Sequence, residues 1–173
     1  MTIDAIKRTA LIFGCFLLLI SVAAMADGKA PKLSKDDQKK YDLAFEKALA
    51  HYDKFKIYLE DDKTKDAIKE LQTITAIDFP DGAKGSDGVM LQVEAHIYLG
   101  EMLTDQGDFD GAVETLKQGI TKAPDIDQAT YDLYMALGHA YKKLKKNDEA
   151  LAAFEQAEKI NKILQEREEK SKK

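Results

Sequence analysis

The sequence has no tryptophan, only three prolines and a single cysteine among its 173 residues. So few prolines leave long stretches in which a helix can run without interruption. The ten glycines are also too few for the many tight turns of a β-sandwich or β-barrel. The one cysteine, Cys15, lies in an apolar run near the N-terminus, so the rest of the chain can form no disulfide. We therefore expect long helices that are held together by packing alone.

A strong charge of one sign is also missing. The formal net charge is −5, with 33% charged and 45% hydrophobic residues. This apolar content is enough for the core of one soluble domain, which we place at residues 35–173. Nucleic-acid-binding domains usually carry a basic surface, so a mildly acidic chain argues against a nucleic-acid partner.

The N-terminal residues 1–26 have the three parts of a secretory signal peptide. Lys7 and Arg8 give a positive start, an apolar run covers residues 10–24, and Ala24-Met25-Ala26 offers small residues for a signal peptidase. The apolar run is short for a membrane span, which needs about 20 residues. We predict cleavage after Ala26, a flexible leader at residues 27–34 and a periplasmic location. The alternative is an uncleaved segment that anchors the protein to the membrane.

Recognisable catalytic and cofactor motifs are missing as well. The three histidines lack the spacing of a zinc site, and the glycine-containing segment 78–88 lacks the Gly-Lys-Ser/Thr of a phosphate loop. The same segment misses the calcium-loop pattern, because Gln92 stands where a glutamate is needed. We therefore predict a protein that is not an enzyme, binds no metal or other cofactor, and has no small-molecule substrate.

What the sequence does have is helical periodicity between Tyr131 and Asn161. Two sets of apolar or small residues each fall on one helical face, and a polar turn, KKLKKND, separates them. The sets are Tyr134, Leu137, Gly138 and Tyr141, followed by Ala150, Phe154 and Ala157. This pattern predicts two antiparallel helices, and Gly138 is expected to let them approach closely.

These seven residues resemble the tetratricopeptide repeat, whose pattern is W-x2-L-G-x2-Y followed by A-x3-F. Tyr134 stands in place of the family's tryptophan. A second copy upstream has the same spacing and consists of His96, Leu99, Gly100, Leu103, Ala112, Leu116, Gly119 and Pro124. A third and degenerate copy keeps only Ala67, Leu71 and Ile74 of the second helix.

The resemblance implies an all-α fold, an α-solenoid of about three helix hairpins at residues 41–78, 93–126 and 131–164. Past Asn161 the last helix continues without a proline or glycine, as a solvating C-terminal helix would. His51 and His96 occupy the aromatic position of their repeats, and we expect both to be packed.

The first helix, predicted from Lys35 to Glu60, has two open interpretations. Its apolar positions repeat every three or four residues and form a seam: Tyr41, Phe45, Ala48, Tyr52, Phe55 and Leu59. The seam either packs on the following helices or joins a second copy in a coiled coil. A self-assembling scaffold, formed through this helix or through the C-terminal helix, is therefore the alternative to a binding module.

The resemblance also implies a binding surface, because the first helices of successive tetratricopeptide repeats line a concave groove. The residues that occupy these positions, called the groove face below, are Glu94, Ile97, Glu101, Thr104, Asp132, Met135, His139 and Lys142. Ile97 and Met135 occupy positions that the family's clamp for acidic C-terminal tails uses, so we do not expect that ligand. The mixture favours a peptide or helix of another protein that carries basic and apolar residues.

Overall fold

The computed structural model describes residues 33–123 and 126–172. This part of the chain contains six helices and no strand: α1 (Lys35–Glu60), α2 (Thr64–Thr75), α3 (Asp87–Gln106), α4 (Phe109–Lys122), α5 (Gln128–Lys143) and α6 (Asn147–Ser171). Contacts divide the chain into two compact units after Gly88, so that α3 begins in the first unit and continues through the second. The predicted all-α architecture of helix hairpins is confirmed.

Three helices begin where a short polar side chain can accept a hydrogen bond from the first turn. Ser34, Asp108 and Asp127 each accept a backbone N–H three residues further on, before α1, α4 and α5 respectively. These bonds satisfy donors that an isolated helix leaves unpaired. Gly107, at a φ of +87°, makes the turn between α3 and α4.

Helices α2 and α6 begin without a side-chain cap. Thr64 is the first residue of α2 and Asn147 is the first residue of α6, so the capping positions fall on Lys63 and Lys146. In each turn a residue with a φ of +59°, Asp62 or Lys145, directly precedes the capping lysine. Gly107, at a φ of +87°, precedes the capping Asp108 in the same way, so the turns do not differ in form. Thr64 and Asn147 come one position after the capping position and lie inside the helix instead of capping it.

The missing cap of α6 leads to a test of stability. The backbone of Lys146 (φ −88°, ψ 73°) nearly matches that of Asp108 (φ −81°, ψ 71°), whose carboxylate does cap its helix. Lys146→Asp should therefore raise the free energy of unfolding by about 0.5–1 kcal/mol. Urea denaturation measures this gain. Lys146→Ala is the matched control, and equal stability of the two variants would show that no cap forms.

The seam of α1 is used within the fold. Ala48, Tyr52, Phe55 and Leu59 are buried in α1, and α1 packs on α2, which buries Ala67, Ile68, Leu71 and Ile74. Near the start of α1, the ring of Tyr41 contacts the ring of Phe79, in the loop between α2 and α3, at 5.8 Å between centroids. The interpretation of the seam as a coiled-coil surface is therefore wrong, because burial against α2 removes it from a second copy.

The first hairpin lacks the glycine at which the two helices of each later hairpin contact each other. Phe55, fully buried, stands at the position that Gly100 and Gly138 hold in the later hairpins. His51 also differs from the prediction of a packed histidine. It is only partly buried, and its Nδ1 lies 2.5 Å from Oε2 of Glu70 on α2.

In the second unit the glycines mark close helix contacts, as predicted. A Cβ atom at Gly138 would lie 2.5 Å from the Phe154 ring, and one at Gly100 would lie 2.5 Å from Leu116. Both contacts join the first and second helix of a hairpin at equivalent positions. One hydrophobic core continues through both hairpins, and Ala112, Leu137, Tyr141 and Ala150 belong to it, with Tyr134 and Phe154 packed against it. Leu99 and Ala157 are buried as well.

His96 packs at the meeting point of three helices. A Cβ atom at Gly119 of α4 would lie 2.8 Å from Cβ of His96 and 2.7 Å from the side chain of Leu133 on α5. The imidazole is 1% exposed, and neither ring nitrogen has a hydrogen-bond partner. The prediction of a packed histidine is therefore confirmed at this position.

Several sequence predictions lie outside the described residues. These are the signal peptide at residues 1–26, residues 27–32 of the leader, and Pro124. Among the residues that are described, no helix combines the length and apolarity that crossing a bilayer requires.

Candidate partner-binding groove

The groove face lies on α3 and α5, whose other sides fill the core of the second unit. On α5, for example, Leu133, Ala136, Leu137 and Ala140 are buried. The residues of the groove face are offset from this buried side, so none of them is fully covered. Six are partly buried, namely Glu94, Ile97, Glu101, Thr104, Asp132 and Met135, and two are exposed, namely His139 and Lys142.

Local contacts hold the two ends of the face on α3. Glu94 accepts a hydrogen bond from the hydroxyl of Tyr98 at 3.3 Å, and Thr104 donates to the backbone carbonyl of Gly100 at 2.8 Å. Between them, Ile97 packs against the hydrophobic core while part of its side chain remains accessible. A ligand would therefore meet an apolar side chain between polar groups whose positions are already fixed.

Glu101 is the most perturbed acid of the described residues. Burial raises the pKa of its carboxyl to about 7, and the charges of Asp132 and Asp105 contribute to the rise. Burial acts in this way because a low-dielectric surrounding disfavours the charged form. Near neutral pH this carboxyl is thus divided between its protonated and its ionised form.

Asp132 supplies the matching acid on α5. Burial raises the pKa of Asp132, and nearby Asp127 acts in the same direction. A hydrogen bond from Nε2 of Gln128, at 3.0 Å, opposes the rise. Glu101 and Asp132, two acids of the groove face that are 31 positions apart in the sequence, therefore influence each other electrostatically.

Sequence reasoning missed Asp105 and Gln128. Each lies four residues from an acid of the groove face on the same helix, which is the spacing at which side chains on a helix meet. This spacing was visible in the sequence and could have identified both. The missing information was that Glu101 and Asp132 are partly buried, because only then do such neighbours change a pKa appreciably.

The C-terminal end of α5 carries a basic residue, in contrast to the acid near its N-terminal end. Lys142 lies ten residues beyond Asp132, or about 15 Å along the helix. His139 contacts the Phe154 ring edge-on at 5.3 Å between centroids. Partial burial lowers its pKa, and the positive charge of Lys142 adds to the effect. The lowered pKa disfavours the charged form of the histidine, and Lys142 is the basic residue at this end.

This arrangement suits recognition. An ionised Glu101 beside Asp132 can accept hydrogen bonds from a lysine or arginine, while Ile97 and Met135 offer apolar contact. In the described part of the chain, no three histidine or acidic side chains are grouped so that they could hold a metal ion.

Comparison with known proteins supports the repeat register. Residues 95–127 and residues 131–163 each match a family model described as a tetratricopeptide repeat. No curated protein matches the chain significantly. Gly100 and Gly138, with their contacts to Leu116 and Phe154, lie inside these two segments, and so do all residues of the groove face except Glu94. Residues 41–78 lie outside both matches.

Proposed function

We propose that this protein, two segments of which match tetratricopeptide repeats, is a non-enzymatic adaptor that binds a segment of another protein. Tetratricopeptide repeats generally mediate protein–protein interactions, and the family is typically without enzymatic activity. The bound segment would lie on the groove face and would carry a lysine or arginine next to apolar residues. Cationic and apolar groups together complement an acidic pair that is flanked by Ile97 and Met135.

The observation that carries this proposal is the partly buried pair of Glu101 and Asp132. Keeping two acids close together in a poorly solvated place is unfavourable, and the raised pKa of Glu101 expresses that cost. A basic side chain that reached the pair would remove the repulsion and form charge-assisted hydrogen bonds. Core packing does not need a carboxylate at this position, so a role in recognition accounts for it better.

We further propose that the protein acts in the periplasm. The support is the sequence of residues 1–26, with its basic start, apolar run and small residues at the expected cleavage point. The partner would then be another protein of the cell envelope. Fractionation of cells, together with N-terminal sequencing of the isolated protein, tests the location and the cleavage after Ala26 without reference to the groove.

A site-specific photo-crosslinker tests the groove itself. Installed in place of Met135 in the full chain, it should capture a discrete partner in the native envelope, which mass spectrometry then identifies. The matched control replaces Leu151, an apolar residue of α6 that is 60% exposed and lies away from the groove face. If both positions capture the same products, or Met135 captures none, the groove is not the binding surface.

The acidic pair predicts a pH dependence once the partner segment is known. Glu101→Gln should weaken its binding roughly 10- to 100-fold at pH 8, the loss expected for one hydrogen bond to a charged group. At pH 6 the wild-type carboxyl is mostly protonated, so the variant should differ little. Wild-type affinity should therefore rise from pH 6 to pH 8, as isothermal titration calorimetry can measure.

Charge reversal provides a second arm for this experiment. Glu94→Lys combined with Glu101→Lys should abolish binding, whereas reversal of Glu155 and Glu158, two exposed acids of α6, should leave it intact. Circular dichroism of each variant verifies that the helices remain folded. An affinity that is independent of pH and unchanged by Glu101→Gln would exclude a role for this acid in recognition.

A further inference from the structure

The turn between α5 and α6 carries four lysines in five positions. Its backbone closes tightly, since the N–H of Lys146 donates to the carbonyl of Tyr141 at 3.0 Å. Leu144 packs against the hydrophobic core, whereas all four lysines are exposed. Among the described residues, no acid lies within ion-pair distance of any of them. These residues, called the lysine turn below, are Lys142, Lys143, Lys145 and Lys146.

The preceding repeat closes its hairpin with the same backbone bond, from Asp108 to Leu103 at 2.9 Å, but with different residues in the turn. Gly107 takes the left-handed φ that Lys145 takes in the lysine turn. A lysine is strained at such a φ, whereas glycine is not. Lys146 likewise provides no side-chain cap, although Asp108 does at the equivalent position. Because both lysines are unfavourable for the stability of the turn, their positive charge is what they add to the protein.

The acids next in sequence do not neutralise the lysine turn. Asp148 and Glu149 lie in the first turn of α6, where the helix dipole favours negative charge. Glu149 also lies close enough to Lys117 of α4 to interact with its charge. Two of the four lysines suit the C-terminal end of α5 for the same electrostatic reason, but the other two lie beyond that helix. The lysine turn therefore keeps positive charge available to a ligand.

The lysine turn lies at the opposite end of α5 from Asp132. Lys142 belongs to the groove face itself and lies about 15 Å along the helix from Asp132. Met135 and His139 come between them, and the helical spacing keeps all four residues on one side of α5. A segment that lies along this side of α5 thus meets an acid, then an apolar side chain, and finally a cluster of positive charge.

From this polarity we infer that the bound segment is dipolar, with its basic residue at Glu101 and Asp132 and with acidic residues over the lysine turn. This inference rests on the proposed function, because it describes the same partner. Charge complementarity favours such a segment, since a purely basic one would be repelled at the lysine turn. An extended segment covers 15 Å in about five residues, and a helical one in about ten. The acids should therefore follow or precede the basic residue at one of these separations.

Neutralisation of the lysine turn tests this inference in the native envelope. The photo-crosslinker at Met135 of the full chain is combined with Lys142→Gln, Lys143→Gln and Lys145→Gln. Loss of three exposed attractions should lower the capture yield roughly 3- to 30-fold at low salt. High salt should remove the difference from the wild-type turn, because it screens exposed charges.

A second triple variant controls for net charge. It neutralises three exposed lysines of α6, namely Lys159→Gln, Lys162→Gln and Lys170→Gln, and should capture as much as the wild type. Circular dichroism verifies that the helices of both variants remain folded. Equal yields for the two triple variants at low salt would overturn the inference and leave the proposed groove intact. If Met135 captures no partner even beside the wild-type turn, the proposed function and this inference fail together.

The captured segment, identified by mass spectrometry, provides an independent check. It should contain a lysine or arginine, and acids at one of the two separations given above. A synthetic peptide of this sequence is then the probe for calorimetry. Replacement of its acids by glutamine should weaken binding to the wild type, but should not weaken binding to the lysine-turn variant further. Additive losses would place these acids elsewhere on the protein and would overturn the inference.

Discussion

Replacement of Gly138 by leucine should unfold the last hairpin or cost several kcal/mol of stability. A Cβ atom alone would lie 2.5 Å from the Phe154 ring, well inside van der Waals contact, and leucine adds three further carbons. Over-packing of a well-filled core typically costs 1–3 kcal/mol and more where the backbone cannot move. Here α5 and α6 are joined by a tight turn, so little relief is available. Thermal and urea denaturation measure the loss.

A double-mutant cycle shows whether the Phe154 ring is the cause. Gly138→Ala should already destabilise, although alanine is the better helix former by about 1 kcal/mol. Phe154→Ala should also destabilise, because it leaves a cavity. In the double variant the smaller residue 154 makes room for the new methyl group, so the loss should be clearly less than the sum of the two. Additive losses would show that the two residues do not contact each other.

A substitution at Gly107 distinguishes the effect of a crowded site from the effect of an unfavourable backbone conformation. A Cβ atom there has no neighbour within 4 Å, and the φ of +87° is the reason for glycine. Gly107→Ala should therefore cost about 1 kcal/mol through backbone strain, whichever residue occupies position 154. Gly138→Ala, in contrast, should depend on that residue.

Replacement of His96 by leucine should make the protein more resistant to acid. Burial lowers the pKa of His96 to about 4, and the charge of Lys122 contributes. The unfolded chain takes up its proton near pH 6.5. Between these values the unfolded state holds more protons than the folded state, so stability falls as the pH falls from 6.5 to 4. The whole loss amounts to about 3 kcal/mol.

Leucine has a similar volume and no polar atoms, so His96→Leu should remove this loss. It should also be neutral or stabilising at pH 7, because both ring nitrogens of the wild type are buried without a hydrogen bond. Urea denaturation at pH 7.5, 6 and 5 gives the difference between variant and wild type. A difference that does not grow towards pH 5 would contradict the prediction.

The comparison with wild type is necessary because Glu101 acts in the opposite direction. Its pKa is raised in the folded state, so its contribution to stability is complete below pH 4.5 and is lost as the pH rises through 7. The two effects overlap between pH 4.5 and 6.5 and partly cancel in the wild-type protein. Subtracting the two denaturation curves leaves the part that belongs to His96.

Within the second unit, the sequence determined most of the architecture. The hairpins and their glycine contacts were predicted from the Leu-Gly pairs at Gly100 and Gly138. The small and apolar residues that follow each pair at the spacing of the repeat completed the prediction. Such predictions succeed because helical periodicity and small residues act locally, over one or two turns. The uncapped starts of α2 and α6 were not evident from the sequence, because the residue at which a helix begins depends on the backbone of the preceding turn.

The tertiary structure decided which helix faces are buried in the core and which remain accessible to a partner. The seam from Tyr41 to Leu59 allowed either a coiled coil or packing on the next helix, and only the position of α2 resolved this. Tertiary packing also raised the pKa of Glu101 and lowered that of His96, because both shifts begin with burial. A sequence specifies which groups can carry charge, whereas their solvation and their neighbours depend on segments far away along the chain.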